Sequence, residues 1–181
     1  MSLEELIIAI VRVLGSLLVF KWAFIGGWAA ILIDLSDLFL RNLLDLGGVS
    51  NYQAFDKWLD QVYMVAFLIV ALRWAGPARS VAVGLFLFRL VGFAIFEFTN
   101  ERYVLLAVPN VFEVWFLFVA SLPHWRPDFQ FSKRNIILAL IPLTALKVFQ
   151  EYALHGGKWL DSFTAIEAVE AIADWFAGPF T

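Results

Sequence analysis

The stretch DLSDLFLRNLLDLGGVSNYQAFDKWLD, residues 34–60, stands between two strongly apolar segments. It holds more carboxylates than a bilayer interior accepts without compensation. Asp34 and Asp37 are spaced i, i+3, and Asp56 and Asp60 are spaced i, i+4. On a helix either spacing puts both acids on one face. Two helices meeting across Gly47-Gly48 would bring four carboxylates to one point. Such a cluster repels itself, so it requires cations: a divalent metal, or the arginines and lysines close by.

The surroundings of that stretch set the fold class. The chain has 181 residues, 62% hydrophobic and only 16% charged, with a mean hydropathy of +0.81. Ordinary soluble domains are about 45–50% apolar and about a quarter charged. The expectation is an all-α integral membrane protein, a single bundle of five or six transmembrane helices with an amphipathic C-terminal helix. A barrel strand would alternate apolar and polar residues, and these segments do not. A formal net charge of −3 offers no basic patch, so nucleic acid is not an expected partner. The absence of cysteine removes disulfides and thiolate chemistry. His124 and His155 are too few for a pigment protein that ligates through several imidazoles.

A single domain over 1–181 is expected, with a first apolar segment at 1–33, the carboxylate-rich stretch at 34–60, remaining spans through 61–154, and a tail helix at 159–177. Glu4 and Glu5 stand where a signal peptide would be basic, so the N-terminus is expected to be retained. Residues 3–33 are too long for one crossing and too short for two comfortable ones. Two arrangements compete: one long tilted helix, or an interfacial 3–20 followed by an inserted 22–40, with Arg12 snorkelling in both. The preferred version is a short interfacial or tilted start followed by one span. Residues 34–46 read as an amphipathic helix of their own, and 52–74 as the next helix. Trp74-Ala-Gly-Pro77 reads as a tight turn, followed by spans at 80–98, 103–122 and 135–154. Thr164 and Glu167 have capping-box spacing at the start of the acidic tail helix. Seven of the eight tryptophans fall near expected span ends, as an interfacial belt requires.

The carboxylate stretch resembles, at a distance, the CDP-alcohol phosphotransferases. That family carries two aspartates at i, i+3 at the end of one transmembrane helix and two more at i, i+4 opening the next. Asp34, Asp37, Asp56 and Asp60 fall in that order and context. The chain has Leu38 where the family has glycine, Arg41-Asn42 where it has alanine-arginine, a gap one residue longer, and Tyr52 where a glycine would stand. The resemblance covers only residues 34–60. It implies a magnesium- or manganese-dependent, metal-binding transferase of phospholipid metabolism. Asp34, Asp37 and Asp56 would be metal ligands, Asp60 the base, and Arg41 or Lys57 the holder of a phosphate oxygen. Such chemistry needs diphosphate charge neutralised and a hydroxyl deprotonated. A competing reading is an interfacial helix whose acids pair internally, as Asp37 and Arg41 at i, i+4 would.

Other polar residues lie inside the spans. Arg89 sits about ten residues into its span, where a lone charge costs roughly 2.5–3.5 kcal/mol or more, and Glu97, Glu113 and Lys147 are its candidate partners. Asn110 and Glu113 follow Pro109 at an expected kink, a place for a polar cavity or for a kink satisfied by its own side chains. Lys147, Glu151 and His155 form an i, i+4, i+8 stripe, read as an ordinary ion pair reaching the headgroups. The alternative to an enzyme is therefore a non-catalytic membrane subunit or small ion-coupled carrier with structural intramembrane ion pairs. Membrane lipids, a second copy or a larger membrane assembly are the expected partners, in a prokaryotic inner membrane. The basic residues split five to four between the two faces, Arg73, Arg79, Arg126, Lys133 and Arg134 against Arg41, Lys57, Arg102 and Lys158. That bias puts 34–60 outside the cytoplasm, whereas a nucleotide-using enzyme would present it inside; a hairpin of two short helices within 3–37 would reconcile them, each arm being short for a full bilayer.

Overall fold

The structure, a computed structural model, describes residues 2–43, 52–99, 101, 103–153 and 167. Among these the fold is all-α. Its helices are α1 (Leu3–Leu17), α2 (Ala23–Leu43), α3 (Tyr52–Ala71), α4 (Gly76–Thr99), α5 (Tyr103–Ala107), α6 (Val111–Trp125) and α7 (Lys133–Glu151). A 3₁₀ turn at Leu18–Phe20 joins α1 to α2.

Residues 3–33 are not one long helix. The chain reverses within Leu18–Trp22, and α1 and α2 form an antiparallel hairpin in which Gly15 meets Ile33. Ser2 and Glu5 start α1 with a reciprocal capping box, at 2.9 and 3.1 Å, and the 3₁₀ turn at Leu18–Phe20 reverses the chain. Gly26 then lets the backbone of the 3₁₀ turn lie against α2, since a Cβ there would stand 2.4 Å from the Val19 nitrogen. The separate helix expected at 34–46 is instead the second half of α2, which runs unbroken through Asp34. No glycine or proline stands between Trp28 and Leu46 to interrupt it. The Gly47-Gly48 turn, Asp45, His155 and the tail at 159–177, apart from Glu167, lie outside the described residues.

The expected turn at Trp74–Pro77 is present. Gly76 takes a left-handed φ of +59°, and Pro77 follows as the second residue of α4, where a missing N–H costs nothing. The span expected at 103–122 is in fact two helices. Pro109 cannot donate and its ring excludes a continuous helix, so α5 closes at Val108 N–H to Val104 O and α6 begins anew at Val111. Gly92 of α4 packs against this break, where a Cβ would lie 2.6 Å from the Val108 side chain.

Helix α6 is the axis of the bundle, with Phe112, Trp115 and Phe116 fully enclosed. Trp115 is thus core, and its indole N–H donates to Ala78 O at 3.3 Å. Phe116 stacks on Phe67 of α3 at 4.1 Å and on Trp74 at 5.2 Å. The outer helices are patterned the other way round. Helix α1 buries Glu4, Arg12 and Ser16 while exposing Leu6, Ile10, Leu14 and Leu17. Helix α7 buries Lys147 and Glu151 while exposing Ile137, Leu138, Ile141 and Phe149. Among the described residues α4 alone is long and apolar enough to cross a membrane by itself, and α6 and Ala23–Ser36 are shorter apolar helices.

Candidate functional site

Three helices deliver the acid centre. Asp34 comes from the middle of α2, Asp56 and Asp60 from successive turns at the start of α3, and Arg12 from the third turn of α1. Arg12 sits on the inward stripe Glu4, Ile8, Arg12, Ser16, so its side chain enters between α2 and α3. Its guanidinium donates to Asp56 Oδ1 at 2.8 Å through Nη1. Nη2 donates to Asp60 Oδ1 at 2.8 Å and also to Asp34 Oδ1. Lys57 adds a second cation, donating to Asp56 Oδ2 at 2.8 Å and Asp60 Oδ2 at 3.0 Å. Arg12 is 3% exposed and Asp60 7%, so this is an enclosed ionic group.

The convergence expected from the i, i+3 and i, i+4 pairs is therefore present for Asp34, Asp56 and Asp60, whose ligand oxygens lie within 4.8 Å of one another. Asp37 and Arg41 stand one and two turns further along α2, with side chains outside what is described. The basic residues supply one answer to the repulsion, and the spacing of the three oxygens leaves the other open. The donor set, carboxylate oxygen only, is of the kind that hard divalent cations take. Among the described side chains Arg12 and Lys57 meanwhile compensate two of the three negative charges. Asp60 does not stand free as a base would. It is the most enclosed of the three acids and is held by both cations. Lys57 turns towards its own helix neighbours.

A second enclosed network begins one turn further along α3, at Tyr63. Glu113 Oε2 accepts from the Tyr63 hydroxyl at 3.1 Å, from Asn110 Nδ2 at 3.2 Å and from Lys147 Nζ at 3.0 Å. Arg89 donates to Val108 O at 2.6 Å, the carbonyl exposed by the break before Pro109, and faces Glu151 at 3.9 Å. Arg89, Asn110, Glu113, Lys147 and Glu151 are all at least nine-tenths buried. Two expectations change here. Arg89 pairs with Glu151 rather than with Glu97, which is exposed, or with Glu113 and Lys147, which pair with each other. The Lys147–Glu151 stripe does not reach outward as an i, i+4 pair, because both residues face the interior and take partners on other helices. Asn110 Oδ1 is a buried acceptor without a donor.

Sequence reasoning assigned no partner to Arg12 and no role to Tyr63. The signal for Arg12 was the i, i+4 run Glu4, Ile8, Arg12, Ser16, which puts polar side chains on one face of an otherwise apolar helix. No family model, curated protein or solved structure matches this chain.

Proposed function

We propose that this chain is an integral membrane protein whose carboxylate centre binds a divalent cation and transfers a phosphoryl-linked group to or from a lipid or lipid headgroup. The observation that carries the reading is the meeting of Asp34, Asp56 and Asp60 oxygens from two helices within 4.8 Å. The membrane part rests on the inverted patterning of α1 and α7, with charge inside and leucine, isoleucine and phenylalanine outside. Only 33% of the most apolar window of α4 is buried, whereas the central helix of a water-soluble protein would be mostly covered. The reading counts α2, α3, α4, the α5–α6 segment and α7 as crossings, five in all, or six with α1, whose 15 residues alone fall short of a ~30 Å hydrocarbon core.

In this reading Asp34 and Asp56, with Asp37 next to them in the motif, would hold Mg²⁺ or Mn²⁺. The cation when bound supplies charge neutralisation at the transferred phosphorus. Arg12 and Lys57 are the residues that would turn from carboxylate to phosphate oxygens when substrate arrives, since both satisfy the same donor geometry. Asp60, released from them, accepts the proton of the attacking hydroxyl as its oxygen bonds to phosphorus and the phosphorus–oxygen bond to the donor breaks, the donor leaving as a phosphate anion beside Arg12 and Lys57. Lys21, Arg73, Arg79, Arg126, Lys133 and Arg134 lie at or beside the other end of the bundle, with Asp128 the acid among them. The positive-inside rule then faces the carboxylate centre away from the cytoplasm of a prokaryotic inner membrane. A lipid-borne phosphate or diphosphate fits that side better than a cytoplasmic nucleotide.

A second reading is favoured by one observation: Arg12 donates to all three acids. That is what a structural ion-pair core in a membrane subunit or ion-coupled carrier would show. The Arg12→Gln variant separates the two. A cation site loses a resident competitor, so Mg²⁺ binds more tightly to the variant than to the wild type. A scaffold is destabilised and shows no response to Mg²⁺. Transfer of labelled phosphate between lipids in proteoliposomes, dependent on Mg²⁺ and lost in Asp60→Asn, tests the activity itself.

A further inference from the structure

The three chain reversals at the basic end enclose a cavity of about 780 Å³ on the opposite side of the bundle from the carboxylates. Lys21 and Trp22 reach it from the α1–α2 reversal, Trp74 and Ala75 from the α3–α4 turn, and Arg126, Phe129 and Phe131 from the α6–α7 connection. Along α3, Asp60 and Trp74 are separated by about 20 Å at helical rise. The two sites are therefore independent.

The cavity has two zones. Its walls are aromatic and aliphatic, with Phe24, Trp74, Phe129 and Phe131 turned into it. Its polar lining is basic: Lys21, His124 and Arg126, all exposed, and no carboxylate among the described lining residues. Two of the three basic side chains lie against aromatic rings. The Lys21 ammonium lies 4.4 Å from the Trp22 ring centre and the His124 ring 5.3 Å from that of Phe24. Trp22 and Trp125 are half or more exposed at this end, the level of an interfacial belt. A free phosphate would satisfy the basic lining and leave the apolar walls wet. A neutral lipid would fill the walls and leave the cations uncompensated.

We propose that this cavity binds an anionic phospholipid, with an acyl chain against the aromatic walls and the phosphodiester between Lys21, His124 and Arg126. The inference rests on the membrane reading above and is independent of the phosphotransfer chemistry. Its volume is in the range of small-molecule sites, about 300–1,000 Å³, and basic pockets at the cytoplasmic face recognise anionic headgroups.

The test uses the full chain in detergent, titrated with phosphatidylglycerol or phosphatidylcholine in mixed micelles and read by native mass spectrometry. Phosphatidylglycerol should bind at least about tenfold more tightly than phosphatidylcholine, a preference that two basic side chains supply. The Lys21→Gln/Arg126→Gln variant should lose that preference. The Arg73→Gln/Arg79→Gln variant, altered at exposed positions outside the cavity, should keep it. Ala75→Trp, which fills the cavity from the α3–α4 turn without touching its cations, should lose binding of both lipids. Equal affinity for the two lipids, or an equal loss in both double variants, would overturn the proposal in favour of diffuse attraction to a basic surface. Alkaline extraction of membranes separates the failures: a chain that resists extraction but shows no lipid preference loses only this inference, and one that is extracted loses the membrane reading as well.

Discussion

Arg12 and Asp60, on different helices and 48 positions apart, meet at 2.8 Å in an enclosed group that also holds Asp34, Asp56 and Lys57. This one contact ties the α1–α2 hairpin to α3 and decides how the acids can be used. Removing one member of a buried charge group leaves the rest uncompensated, a loss of about 3–5 kcal/mol. Arg12→Gln should therefore lower thermal stability in detergent steeply. Arg12→Lys should recover only part of it, because a compact ammonium lacks the planar fork whose two nitrogens reach Asp56 on one side and Asp34 and Asp60 on the other. An Arg12→Gln variant that melts with the wild type would refute the assignment.

The second network makes a separable prediction. Glu113→Gln or Lys147→Met alone strands a buried charge and should destabilise by a few kcal/mol. The double variant should lose less than the two singles together, since neither charge remains unpaired. Strict additivity in chemical unfolding would mean that the 3.0 Å contact between them carries no coupling.

Two glycines on different helices should respond with opposite signs. Gly26→Ala puts a methyl 2.4 Å from the backbone of the 3₁₀ turn and should cost about 1–3 kcal/mol. Gly84 is exposed within α4, and a methyl added there would meet nothing within 4 Å. Gly84→Ala should therefore be neutral or stabilise by up to about 1 kcal/mol. Unfolding of both variants in one detergent gives the comparison directly.

Orientation gives a fourth. A cysteine at Ser50 should be labelled by an impermeant reagent from outside intact cells, and one at Asp128 only after lysis, as the basic end predicts. The reverse pattern would return the carboxylates to the cytoplasm and restore a nucleotide as donor.

Much of the fold could be read from the chain. Apolar runs and the Gly76-Pro77 turn located α3, α4 and α7 to within a few residues, because each is a local signal. Pro109 was legible as a kink, but not as a full break, because that depends on Arg89 and Gly92 of α4 accepting the freed Val108 segment. The convergence of Asp34 with Asp56 and Asp60 was legible from helical spacing. Arg12 was not, since its partners lie 22, 44 and 48 positions away and only the hairpin brings it to them. The Arg89–Glu151 pair was hidden for the same reason: both residues had nearer partners in sequence, and helix packing chose otherwise.

The central claim is that the centre where Asp34, Asp56 and Asp60 meet takes up one divalent cation on Asp34 and Asp56, and thermal unfolding in detergent with and without Mg²⁺ tests it most directly. Wild type should gain stability with rising Mg²⁺, by about 2.7 kcal/mol at a hundred times the dissociation constant. Asp34→Asn and Asp56→Asn should lose that gain, while Arg12→Gln, though less stable at the outset, should gain more than the wild type at equal Mg²⁺. No Mg²⁺-dependent shift in the wild type at millimolar concentrations would contradict the shared site and leave basic side chains, Arg12 and Lys57 among them, as what the acids were built to hold.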